Sequence, residues 1–240
     1  MIEQITITVI ILISSLLIML PFKKRTNIFN KNSLLAGSYH LSYVILIFIP
    51  ISFSFLSIPN TEMNWAGKIL ALLFSIVFYF LVKNYLKDND FILSLPIKKS
   101  RRKVIIVGLV TVIFMAVLTM AFSRSKPLNT EILFYQMTMP GIDEELWRGI
   151  LLGLLIPIIK NSKFKLGHPA IWATTLIFAL GHSLFLQNWE LQFAIDAFII
   201  TGILGYILGW MTYYSKSILP AIIFHNLINF STNFIEMFFL

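Results

Sequence analysis

The sequence has no cysteine, so it forms no disulfide, no thiolate metal site and no cysteine nucleophile. Charge is also scarce. Only 12% of the 240 residues are Asp, Glu, Lys or Arg, whereas a soluble domain carries about 25%. Hydrophobic residues reach 58%, against about 45–50% in soluble domains, and mean hydropathy is +0.83. These figures exclude an ordinary soluble domain. Acids are the rarer sign, 11 against 19 Lys and Arg, for a net charge of +8. In a chain this apolar, that excess reads as basic cytoplasmic loops, and no nucleic-acid partner is expected. Linkers, internal repeats and low-complexity stretches are lacking too, so a single membrane domain over 1–240 is expected.

What is present is a succession of apolar runs near the ~20 residues that cross a bilayer. Eight spans are predicted, at 4–22, 39–58, 67–86, 103–123, 142–160, 168–186, 193–213 and 217–238. They make an all-α, polytopic membrane helix bundle. The first run lacks a basic segment before it and a small-residue cleavage site after it, so it reads as a span and not a signal peptide. "FILSLPI" (91–97) is too short to span and is predicted to lie at the interface. "ILFYQMTM" (132–139) is also short and ends at Pro140-Gly141, which suggests a half-helix followed by a new helix start.

Loop charges give an orientation. On one side fall Lys23, Lys24, Arg25, Lys31, Lys83, Lys87, Lys98, Lys99, Arg101, Arg102, Lys103, Lys160, Lys163, Lys165 and Lys216. On the other fall only Lys68, Arg124 and Lys126. Both termini are therefore expected outside a cell membrane. Thr201, Gly205 and Gly209 repeat every four residues, a spacing that lets helices approach closely.

Ionisable groups inside spans are costly, so each is a functional candidate. Asp143, Glu144, Glu145 and Arg148 open the fifth span, His182 lies late in the sixth, and His225 lies in the eighth with Asn226 and Asn229. Asp196, early in the seventh, reads as interfacial. Either Glu144 or Glu145 can pair with Arg148 along one helix face. His225 and Asn229 stand one turn apart on the same side. Plainer readings exist for each: Asp143 as an N-cap, acids favoured by a helix dipole, a structural histidine, asparagines as interhelical glue. Depth weakens them when taken together. At ~1.5 Å per residue, Glu144 lies roughly 24 Å from Lys160 and His182 roughly 21 Å into its span, with His225 and Asn229 roughly 12 and 18 Å into theirs. A carboxylate, two imidazoles and an amide at compatible depth are the parts of a water-activating site.

These residues resemble the CAAX-protease and bacteriocin-processing (Abi) intramembrane peptidases, which include the Rce1-type prenyl-protein endopeptidases. The resemblance rests on Glu144-Glu145 ahead of Arg148-Gly149, Phe178 to His182, and His225 to Asn229, and covers roughly 130–232. It implies an eight-span bundle and peptide hydrolysis without a covalent intermediate. Glu144 would activate water with His182, His225 and Asn229 would form an oxyanion hole, and Arg148 would hold Glu145. The family usually places three residues between the glutamate pair and the arginine, whereas here there are two, Leu146 and Trp147. Counting back from Arg148 selects Asp143-Glu144, and counting on from Pro140-Gly141 selects Glu144-Glu145. The second register is taken, and Glu144 belongs to both.

No cofactor is required by this chemistry. Zinc held by Glu144, His182 and His225 is the alternative, although the H-E-x-x-H helix signature is missing. The expected function is an intramembrane endopeptidase acting on membrane-associated or exported peptides, with the bilayer and a peptide substrate as partners. A non-catalytic immunity or scaffold protein and a proton-coupled transporter are the competing readings. The paired broken helices of many transporters are not evident in the sequence.

Overall fold

The computed structural model describes residues 6, 9, 10, 13, 31–86, 89–92, 94–159 and 167–240. The predicted span 4–22 lies almost wholly outside them. Seven α-helices are described: α1 (Lys31–Ser52), α2 (Trp65–Leu86), α3 (Lys98–Phe122), α4 (Thr130–Leu155), α5 (Pro169–Ser183), α6 (Ile195–Ser215) and α7 (Leu219–Phe238). A 3-10 turn, Ser54–Leu56, follows α1. One antiparallel hairpin, β1 (Leu184–Gln187) and β2 (Glu190–Phe193), joins α5 to α6.

Helix α4 is the axis of the bundle. Every residue from Asp143 to Leu155 is buried, and α1, α2, α5, α6 and α7 all pack against it. Its charged residues stay buried there because they are paired within the bundle. Four helices, α1, α2, α3 and α6, are long and apolar enough to cross a bilayer. The middle turns of α2 and α3 present apolar rows outward. Leu73, Val77 and Leu81 on α2 and Val110, Ile113 and Val117 on α3 are all more than half exposed. Such rows need lipid to cover them. This is a multi-pass membrane protein, but eight spans are not described. Helix α5 has only 15 residues, and α4 carries a cluster of charge.

Two expectations fail at Pro140. The half-helix over 132–139 and the helix start after Pro140-Gly141 are one continuous helix, and Asp143 lies inside it, not at its cap. The cap is Asn129, whose side chain accepts the Ile132 N–H at 3.1 Å. Proline removes a helical N–H and crowds the carbonyl four residues back. Here Asn226 of α7 repairs the break. Its Oδ1 accepts the Gly141 N–H at 2.7 Å, and its Nδ2 donates to the Thr138 carbonyl at 3.1 Å. Glycine is needed beside it, because a Cβ at Gly141 would stand 2.5 Å from Asn226 Oδ1 and 2.6 Å from the Ile222 carbonyl. Asn226 is thus interhelical glue, the plainer of its two readings.

The hairpin departs from the all-α expectation. The span predicted at 168–186 ends as helix at Ser183. Beyond it the side chains alternate in burial, and Asn188 and Trp189 take φ of 54° and 64°. A two-residue loop with both φ positive matches the twist of a hairpin.

The bundle has two distinct ends. Loop 91–97 docks on the α6–α7 turn, with Ile97 N–H on the Ser215 carbonyl and Ile218 N–H on the Phe91 carbonyl. Exposed Lys98, Lys99, Arg101, Arg102 and Lys103 cluster at that end. Phe91 is fully buried there, so this loop is partly core and not only interfacial. At the other end, Glu131 accepts from the backbone N–H groups of Glu62 and Met63 and from Trp65 Nε1. Asn226→Leu is expected to destabilise the bundle by about 1–3 kcal/mol for each backbone group left unpartnered. Thermal unfolding in detergent measures this, and an unchanged midpoint would mean that the repair at Pro140 carries no energy.

Candidate active site

Consecutive helical side chains point about 100° apart, so Asp143, Glu144 and Glu145 face three different neighbours. Asp143 faces α1 and α2. Its Oδ2 accepts the Tyr43 O–H at 2.6 Å and lies 2.9 Å from Lys68 Nζ. Glu144 also meets Lys68, with Oε1 at 2.7 Å from Nζ. Its other oxygen, Oε2, points to α5 and α7, 4.0 Å from His182 Nε2 and 3.7 Å from His225 Nε2. Glu145 and Arg148 are fully buried and joined by Arg148 Nε to Oε2 at 3.0 Å. Glu145 Oε1 lies 2.9 Å from His225 Nδ1.

The two imidazoles are oriented by their far nitrogens. His182 Nδ1 stands 2.9 Å from the Phe178 carbonyl, one turn back on α5. A carbonyl only accepts, so Nδ1 carries the proton, and a neutral ring then presents an Nε2 lone pair to Glu144. His225 Nδ1 faces the Glu145 carboxylate at 2.9 Å. Both Nε2 atoms therefore converge on one carboxylate oxygen. Their separations exceed a hydrogen bond and are short enough for one water to touch both partners.

Phe178 ties the parts together. Its ring packs against His182 with centroids 4.3 Å apart and lies 4.2 Å under the Arg148 guanidinium carbon. Arg148 also donates to the Gly205 carbonyl through Nη1 at 3.4 Å. The small-residue repeat of α6 makes this room, since a Cβ at Gly205 would stand 3.0 Å from the Phe178 ring. Close packing was the expected role of that repeat. Asn229 lines the same cavity of about 290 Å³ as Glu144, His182 and His225. Asp196 is exposed in the first turn of α6.

A metal was considered for Glu144, His182 and His225. Glu144 already holds an ammonium group on Oε1, and no cluster of three His, Cys, Asp or Glu residues suited to a metal occurs among the described residues.

Lys68 corrects the loop count. It belongs to α2, not to an outer loop, and its ammonium is turned inward onto two carboxylates. An ionisable group at the edge of a predicted span was the signal for it. The same rule points to His40, a buried imidazole on α1 whose Nδ1 accepts from Trp147 Nε1 at 3.2 Å. Tyr43 carried no such signal.

A polytopic helical membrane protein with acids and histidines gathered within its bundle is the class these features define. Residues 125–231 match the family model described as type II CAAX prenyl endopeptidase Rce1-like. No curated protein and no solved structure matches the chain.

Lys68→Met would leave two buried carboxylates without their shared cation. A loss of about 3–5 kcal/mol is expected, the usual cost of removing one member of a buried pair. Chemical denaturation in detergent reads it. Adding Asp143→Asn to Lys68→Met should recover part of the loss, and a strictly additive double variant would refute the coupling.

Proposed function

We propose that the protein is an intramembrane endopeptidase in which Glu144 and His182 activate a water for peptide-bond hydrolysis. The observation that carries this reading is the convergence of His182 Nε2 and His225 Nε2 on Glu144 Oε2. Glu144 takes a proton from the water as its oxygen attacks the substrate carbonyl carbon. That proton passes to the leaving nitrogen as the C–N bond breaks, giving a carboxylic acid and an amine. The His225 ring, oriented by Glu145, and the Asn229 amide stabilise the oxyanion that forms. Arg148 holds Glu145, and through it the His225 ring. No cofactor is needed for these steps. The Rce1-like match supports CAAX-type protease activity.

Substrates in this reading are membrane-associated or exported peptides. With Lys68 turned inward, only Arg124 and Lys126 remain as basic residues of the sparsely charged side, which supports an arrangement with both termini outside. A reporter fused to the C-terminus should be active only outside the cytoplasm. Cytoplasmic activity would reverse the orientation.

Purified wild-type protein in bilayers should cleave a membrane-bound peptide, and Glu144→Gln and His182→Ala should each lower kcat by at least about 100-fold, the low end for a general base. Full cleavage by both variants would refute the mechanism. A phenotype in cells that survives both substitutions would instead indicate a non-catalytic protein on this fold.

A further inference from the structure

The hairpin begins two residues after His182, and one of its edges adjoins the site. The Ala194 N–H donates to the Ser183 carbonyl at 2.9 Å, and the register pairs Phe185 with Gln192 and Gln187 with Glu190. Hydrogen-bonded pairs alternate along an antiparallel ladder, so Ser183, Phe185 and Gln187 turn their backbone groups toward the partner strand. Leu184 and Leu186 turn theirs the other way. The Leu184 N–H is used, donating to the Leu180 carbonyl at the end of α5. The Leu184 carbonyl and both backbone groups of Leu186 remain on the outer edge of β1. Among the described residues the sheet has only two strands, and no other backbone group bonds to these three.

The two edges of the hairpin differ. Leu184 and Leu186 are half-buried against the core, whereas Phe193 and Leu191, opposite them on β2, are exposed. The strand nearer the bundle is therefore β1. Leu184 also lines an apolar-walled cavity of about 260 Å³, together with Val44, Ile47 and Phe48 of α1 and with Glu144 and His182. An open strand edge is a template for another strand, and its bare groups are costly among apolar side chains.

We propose that the outer edge of β1 is a docking strand for the substrate: an extended segment of the peptide adds to it as a third, antiparallel strand and is led from there to Glu144 and His182. This rests on the hydrolytic reading above. Main-chain pairing of this kind supplies affinity without demanding a particular sequence. An edge turned toward the cavity suits a single extended chain and not the hairpin of a second copy. Because β1 runs away from His182, an antiparallel peptide runs toward it, and the docked segment is the one that precedes the cleaved bond. One peptide residue exchanges both of its backbone bonds with Leu186, and the residue two further on donates to the Leu184 carbonyl.

N-methylation of the peptide tests this with no change to the edge. Methyl groups placed one at a time before the cleaved bond should weaken binding at two positions, two residues apart, by about 3- to 10-fold each, and spare the position between them. Dissociation constants measured with Glu144→Gln read this without turnover. Equal loss at every position, no loss at any, or loss only after the cleaved bond would overturn the docking strand. Leu186→Pro removes the one open N–H of that edge, at a place where an edge strand tolerates proline. It should weaken the unmodified peptide by about 3- to 10-fold. Leu191→Pro makes the same change on the far edge and should not, so equal effects of the two overturn the choice of edge. The chain has no native cysteine, and disulfide-linked dimers through Gln187→Cys with a flat N-methyl profile would assign the edge to a second copy instead. Alternating losses in a protein whose wild type cleaves nothing keep the docking strand and refute the hydrolysis. Cleavage with a flat profile refutes the docking strand alone.

Discussion

Three consecutive carboxylates on a helix enclosed on every side are the constraint on which the rest of the structure depends. Burying one unpaired carboxylate costs several kcal/mol even after relaxation, about what a whole domain has to spare. Asp143, Glu144 and Glu145 point in three directions, so their partners must come from three sides. Lys68 and Tyr43 come from α2 and α1, His182 from α5 and His225 from α7, while Arg148 comes from α4 itself. The packing order of the bundle around α4 satisfies that demand. The acids do not all serve the same end. Glu145 has both oxygens engaged by Arg148 and His225. Asp143 shares its cation with Glu144. Only Glu144 keeps an oxygen directed into a cavity.

The sequence made much of this legible, because ionisable residues in apolar runs are too costly to be incidental. Glu144, Glu145, Arg148, His182, His225 and Asn229 were visible as candidates; Glu144, His182, His225 and Asn229 line one cavity, and Glu145, paired with Arg148, lies buried in contact with His225. Helices α2, α3, α6 and α7 fell close to the predicted spans, since their apolar runs are long and uninterrupted. What was misread has physical reasons. Pro140-Gly141 looks like a break to local propensity, and only a side chain 85 residues further on, Asn226, makes it continuous. Lys68 was taken for a loop charge because it stands near a span end, and a lysine stem is long enough to turn inward from there. The hairpin was hidden inside an apolar stretch whose short runs do not separate strand from helix.

The site is also wider than the segment that carries the family's pattern. The Rce1-like match begins at residue 125, yet Lys68, Tyr43 and His40 all precede it. The cation beside Glu144 and half of the apolar cavity wall are built by α1 and α2, helices that resemble the family only in hydrophobic character. Electrostatic neutrality links the two parts. Residues in the matched segment bring three carboxylates and one arginine into the core, and the preceding helices return one lysine. An imidazole set between two carboxylates is suited to hold a proton in transit. His225, in contact with Glu145 and facing Glu144, occupies that position. The burial that demands partners for the acids thus also sets two imidazoles against one oxygen of Glu144.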